Sequence, residues 1–174
     1  MCNWADEIAY NAHDVDDGLR SGLLQWEEVL GGPLVARHYQ SVQRDWPQRT
    51  GRRVLYETIR LMLSEQVYDV IAETRKRLAQ HRPDSADAVR QCPPLVAFSA
   101  EMHAQSQQLK RFLMQALYRH PQVMGKMQQA QQVVRDLFAH YHAQPQAMKA
   151  EFANRADTHR AVADYIAGMT DRFA

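Results

Sequence analysis

Apolar residues recur along this chain every three or four positions, segment after segment. Leu55, Ile59, Met62, Leu63, Val67, Val70, Ile71 and Leu78 keep that spacing, which predicts a long helix over residues 52–80 with Thr50 as its N-cap. A second stripe, Val123, Met127, Ala130, Val134, Leu137, Phe138 and Tyr141, comes after Pro121, a residue suited to a first helical turn. Leu109, Phe112, Leu113 and Leu117 predict a third helix over 99–118, opened by Ser99. Shorter helices are expected over 4–17 with a break at Gly18, over 23–30, over 34–44, from Pro145, and over 156–169, with one turn capped by Ser85. The pattern implies an all-α fold class, a helical bundle.

Composition agrees with the pattern. Apolar residues make up 45% and charged residues 24%, as in an ordinary globular protein, and seven Gly with seven Pro leave little for the tight turns of an all-β fold. A net charge of +1 gives no general attraction to nucleic acid or membrane. Cys2 and Cys92 make neither a disulfide framework nor a zinc motif. With no signal peptide and no run of about 18 apolar residues, the expectation is a cytoplasmic protein with no membrane contact.

The chemistry concentrates near the start. At about 100° per residue, Asp6, Tyr10, His13, Asp14 and Asp17 fall in one stripe of the first helix. Three carboxylates on neighbouring turns repel one another unless a cation or hydrogen-bond donors sit among them. A solvated acidic face and a site for a divalent metal and a polar substrate both answer to that description. Further along, Arg53, Tyr56 and Arg60 share a face at the head of the long helix, beside Arg52. Arginine there is poorly placed for the helix dipole and well shaped for phosphate. His140 and His142, two apart, point away from each other on a helix and make no metal pair.

The run Ala5-Asp-Glu-Ile-Ala-Tyr-Asn-Ala-His-Asp-Val-Asp-Asp-Gly-Leu-Arg20 resembles the deoxyguanosine-triphosphate triphosphohydrolases of the HD-domain superfamily. Phe98-Ser-Ala-Glu-Met102, Leu109-Lys-Arg-Phe-Leu113, Leu117-Tyr-Arg-His-Pro121 and the closing Asp164-Tyr-Ile-Ala-Gly-Met-Thr-Asp-Arg-Phe-Ala174 are similar to the same family, in the same order. The resemblance implies a metal-dependent enzyme that hydrolyses a deoxynucleoside triphosphate, dGTP in the type case, to deoxynucleoside and triphosphate. It implies Asp6 as the last of four metal ligands, with Mg2+ or Mn2+ (Fe2+ or Co2+ also compatible) as the ion. Tyr10 and Asp14 are implied on the sugar, and Arg53, Tyr56 and Arg60 are the candidates for the phosphates. Residues 1–80 correspond to a remnant of the HD-domain helical core, and 81–174 to the phosphohydrolase-associated helical region. Intact members are expected to be homo-oligomers.

In that family the first metal His and the His-Asp pair precede the Asp helix, where this chain has only Met1-Cys-Asn-Trp4. His13-Asp14 is not that pair, because it comes after the metal Asp. The expectation is therefore a C-terminal fragment from a truncated or mis-started gene, inactive alone, with Trp4, Ile8 and Tyr10 uncovered. Two other readings stay open on the sequence alone. One is a non-catalytic helical subunit or assembly module. The other is a helical nucleic-acid binder using Arg49, Arg52 and Arg53, for which steep salt dependence would be the sign.

Overall fold

The computed structural model describes residues 2–173. These form α1 (Cys2–Ser21), α2 (Trp26–Val29), α3 (Pro33–Asp45), α4 (Arg52–His81), α5 (Ala86–Gln91) and α6 (Ala100–Leu113), the last continued by a π-helical turn at Met114–Tyr118. After them come α7 (Pro121–Ala143), a 3-10 turn at Pro145–Ala147, α8 (Ala150–Ala153) and α9 (Thr158–Ala167). No strand occurs among the described residues, so the all-α expectation holds. Packing divides the chain into two compact units, one up to His120 and one from Pro121. This is a division by contact, and it falls elsewhere than the family-based boundary at residue 80.

In the first unit, α1 packs on α4 and α6, and α3 packs on α4. Ile8, Ala12 and Val15 recur at i, i+4 and i+7 and are buried, so α1 turns its aliphatic face inward and its carboxylates outward. Trp4 is half-buried rather than uncovered. Its ring lies 4.9 Å from that of Phe98 in an edge contact, and its indole N–H donates to the Val96 carbonyl at 2.9 Å. Ile8 is likewise covered, and of the three residues expected to lie open only Tyr10 does.

Several local expectations are corrected. Gly18 does not end α1. The helix runs to Ser21 and stops at Gly22, whose φ of +74° is the left-handed conformation that glycine adopts without strain. Gly18 is instead the point where Leu24 folds back, and a Cβ there would lie 2.7 Å from Leu24 Cγ. Thr50 does not cap α4. Gly51 holds the N-cap position at φ +57° and offers no side chain to the free N–H groups. Ser99 and Ser85 do cap, accepting from Met102 N and Ala88 N.

The long stripe of α4 is buried only over its first half, through Met62 and Gln66, while Val67, Ile71 and Leu78 stay 39–44% exposed. At 30 residues α4 is far longer than α3, with 13, and α1, with 20, so its neighbours run out before it does. Its second half is held from another side, by Ser99 N donating to Asp69 at 2.8 Å and Arg77 donating to the Pro94 carbonyl at 2.8 Å.

In the second unit, Phe138 and Tyr141 of α7 pack with Tyr165, Ala161 and Val162 of α9 and with Met148. The clean apolar stripe expected of α7 is covered only there, and Met127 and Val134 are half exposed. Pro145 opens a 3-10 turn rather than a helix, and α9 is shorter than expected, with Asp157 as its N-cap. His142 stacks near Phe138 and lies 4.5 Å, ring to ring, from His159, while His140 sits against Tyr141, so the two histidines diverge as their spacing requires.

Candidate functional site

Asp6, Tyr10, His13 and Asp17 all emerge on the outer face of α1, and Asp14 is half-buried at its edge. Beside them α6 and its π turn bound a groove of about 260 Å³, lined by Glu7, Tyr10, Asn11, Asp14, Lys110, Leu113, Met114 and Tyr118. The base of the groove is buried and polar. Asn11 Nδ2 donates to Ser106 Oγ at 3.2 Å, and Ser106 Oγ donates in turn to Glu7 Oε1 at 3.2 Å. Gln107 also donates to Glu7, and Lys110 Nζ stands 3.8 Å from its second oxygen. Buried polar groups must be paired to be tolerated, so this ladder fixes the register of α1 against α6.

At the open end, Tyr118 donates its hydroxyl to Asp14 Oδ2 at 2.6 Å. The bond to that carboxylate, with burial second, pushes the phenol up to about 12. Tyr118 therefore stays a donor throughout the neutral range. Tyr10 is two-thirds exposed and stands over the same groove.

The structure thus brings Tyr10 and Asp14 together and adds Glu7, Lys110 and Tyr118 to them. Sequence reasoning missed these three. The segments around 109–121 were legible as family-like, but nothing local says that Tyr118 meets a carboxylate 104 residues earlier.

Arg53, Tyr56 and Arg60 lie elsewhere. All three are exposed at the head of α4, where Tyr56 interacts with Arg20 at the far end of α1. Arg20 is roughly 21 Å along the helix axis from Asp6, at 1.5 Å per residue. Arg60 Nε is bound to Glu57 at 2.9 Å, and Arg49 holds the other Glu57 oxygen at 2.9 Å. Those two arginines keep the Glu57 carboxyl below its ordinary range, Arg60 most strongly. Arg49 also covers the Trp46 ring at 4.4 Å.

Among the described residues, no group of three or more His, Cys, Asp or Glu is arranged to hold a metal ion. Asp6 suits a hard divalent cation in its donor chemistry and its exposure, but it is one donor and not a site.

Residues 96–174 match the phosphohydrolase-associated domain. Over its whole length the chain is 45% identical to a deoxyguanosinetriphosphate triphosphohydrolase-like protein of Bordetella pertussis (strain Tohama I), and it covers 46% of that protein. It is 46% identical to the protein so named in Ralstonia nicotianae, covering 46%, and 43% identical to that of Nitrosomonas europaea, covering 47%. The chain is thus similar over its whole length to deoxyguanosinetriphosphate triphosphohydrolase-like proteins. It spans about half the length of the curated relatives it matches. The similarity runs through α1, so the helix bearing Asp6, Tyr10 and Asp14 lies within the shared region along with the phosphohydrolase-associated part. No helix among the described residues is long and apolar enough to cross a membrane.

Proposed function

We propose that this chain supplies the sugar-side wall and one metal donor of a deoxynucleoside-triphosphate triphosphohydrolase, an enzyme releasing deoxynucleoside and triphosphate. The observation that carries the reading is the outer face of α1. Asp6 is exposed there, and Tyr10 and Asp14 line the groove beside it, in a chain similar throughout to triphosphohydrolase-like proteins. A divalent ion, Mg2+ or Mn2+ with Fe2+ or Co2+ as alternatives, supplies Lewis acidity and an activated water when bound. Asp6 contributes one carboxylate toward it, and the other donors come from outside these 174 residues. Tyr10 lays its ring against the deoxyribose and disfavours a 2′-hydroxyl. Asp14 accepts from the 3′-hydroxyl. Arg53, Tyr56 and Arg60, near the opposite end of α1 from Asp6, form an outer surface that draws in the triphosphate before it reaches the metal, with Arg60 exchanging Glu57 for a phosphate oxygen.

Fusing the chain to the half of a relative that it does not span tests the roles. Asp6→Asn removes bound metal and triphosphate release together, whereas Asp14→Asn keeps the metal and raises KM. Equal metal loss in both variants, read by elemental analysis, refutes the assignment. The 174-residue chain alone, given dGTP and Mn2+, is expected to release no triphosphate, since one carboxylate cannot orient a metal-bound water. Release at an enzyme-like rate that Asp6→Ala abolishes refutes the one-donor argument.

A second reading concerns assembly. The half-exposed seams of α4 and α7 favour a surface that pairs with other chains, in a homo-oligomer or as a helical subunit. Sedimentation that stays monomeric at high concentration argues against it.

A further inference from the structure

Asp14 is held in a way its own helix does not explain. It sits at the edge of α1, where an unpartnered carboxylate would sample several rotamers at little cost. One of its oxygens is instead bound at 2.6 Å by Tyr118, the last residue of the π turn. In that turn Arg119 N–H bonds the Met114 carbonyl five residues back, at 3.2 Å, so the helix takes one extra residue per turn. The insertion rotates Tyr118 relative to Leu109 and Leu113, which are anchored in the core. Such insertions cost regular hydrogen bonding and collect at functional sites. Here the product is a ring that meets α1 and lines the same groove as Tyr10.

We propose that Tyr118 is a positioning residue for the deoxyribose of the substrate: it occupies Asp14 Oδ2 and so presents Oδ1 to the sugar 3′-hydroxyl. This rests on the sugar-side reading of Tyr10 and Asp14. A carboxylate has two acceptor oxygens, and a donor fixed on one leaves the other aimed in a single direction. Tyr118 remains protonated across the working range, with its phenol pushed up to about 12, so the donor is always present. Its ring lines the groove together with Tyr10 and Met114.

The probes are 2′-deoxyguanosine and 2′,3′-dideoxyguanosine, titrated into the 174-residue chain and followed by NMR of 13C-labelled tyrosine rings. Wild type is expected to bind the 3′-hydroxylated probe more tightly, by about tenfold, the worth of one hydrogen bond to a charged acceptor. Asp14→Asn removes most of that preference. Tyr118→Phe keeps the ring, loses the donor, and is expected to remove the same preference while leaving the dideoxy probe unaffected. The double variant loses no more than either single one.

A Tyr118→Phe chain that retains the wild-type preference, while Asp14→Asn loses it, overturns the role of Tyr118 and leaves the sugar-side reading standing. Equal weakening of both probes by Tyr118→Phe shows a merely structural contact and overturns the proposal. A wild type that binds neither probe, or does not distinguish them, overturns the sugar-side reading and this inference with it.

Discussion

Replacing Gly18 by alanine sets two effects of known size against each other on the helix that carries the candidate site. In a helix interior alanine is better than glycine by about 1 kcal/mol, because glycine loses more backbone freedom on folding. If Gly18 were only a weak point of α1, Gly18→Ala would stabilise the protein by that amount. The structure gives the opposite sign. The new methyl would lie 2.7 Å from Leu24 Cγ and closer still to Leu24 Cδ1, and Leu24 is 1% exposed, packed in the core. Its backbone is tied down as well, with Leu24 N–H donating to the Gly18 carbonyl at 3.0 Å. Over-packing of this kind costs roughly 1–3 kcal/mol. The net for Gly18→Ala is therefore a loss of up to about 2 kcal/mol.

Truncating Leu24 exposes the hidden term. Leu24→Ala alone costs about 2–5 kcal/mol through lost burial and a cavity. In that background the Gly18 methyl meets only the remaining Cβ of residue 24, at 3.4 Å, and Gly18→Ala should stabilise by up to about 1 kcal/mol. The assay is urea unfolding followed by tryptophan fluorescence, since Trp4, Trp26 and Trp46 all lie in the first unit and report on it alone. A reversal of sign between the two backgrounds is the expected result. Stabilisation by Gly18→Ala with Leu24 intact refutes the close-approach argument, and equal effects in both backgrounds refute the coupling.

Burial, working against the Glu65 contact, lowers the His38 pKa from its ordinary 6.5. The unfolded chain therefore takes up the proton first, and stability present above pH 6.5 declines as pH falls below it. His38→Gln should flatten that decline in thermal melts between about pH 7 and pH 5, and an unchanged slope counts against it. Gln66 is fully buried with its side-chain oxygen unpartnered, so Gln66→Met should be neutral or stabilising by about 1 kcal/mol in urea unfolding, and a loss of several kcal/mol shows an unrecognised bond. Hydrogen exchange should protect the amides of α1 around Ile8 to Val15 more strongly than those of α7 around Met127 to Val134, because the first face is buried and the second is not. Stronger protection in α7 refutes that ordering.

Local chemistry alone accounts for much of what the sequence makes legible. Ser85 and Ser99 cap where a hydroxyl before an apolar run should cap, Pro121 opens α7, and the three-four spacing marks the long helices. The polar stripe of α1 is legible in the same way, since helical geometry follows from spacing. Its meaning came from resemblance, because a solvated acidic face has the same spacing. Periodicity fails where coverage matters. Val67, Ile71 and Leu78 have the spacing of core residues and lie open, since a stripe tells which residues share a face and not whether a neighbour reaches it. Gly18 and Gly22 look alike in sequence. One admits Leu24 and the other ends the helix, and the difference lies in a contact between Gly18 and a side chain six residues on.

The amino-acid order by itself determined the all-α class, the main helices and the face of α1 that carries Asp6, Tyr10 and Asp14, because these depend on interactions within a few residues of one another. Tertiary structure alone decided that Asp14 is held by Tyr118, that Glu7 is locked to α6 through Ser106, Gln107 and Lys110, and that Arg37 of α3 is paired with Glu65 of α4. The first two join residues about a hundred positions apart, and no periodicity encodes such a meeting. It exists only once the buried faces of α1 and α6 have found each other and the π turn has brought Tyr118 round to the edge of α1.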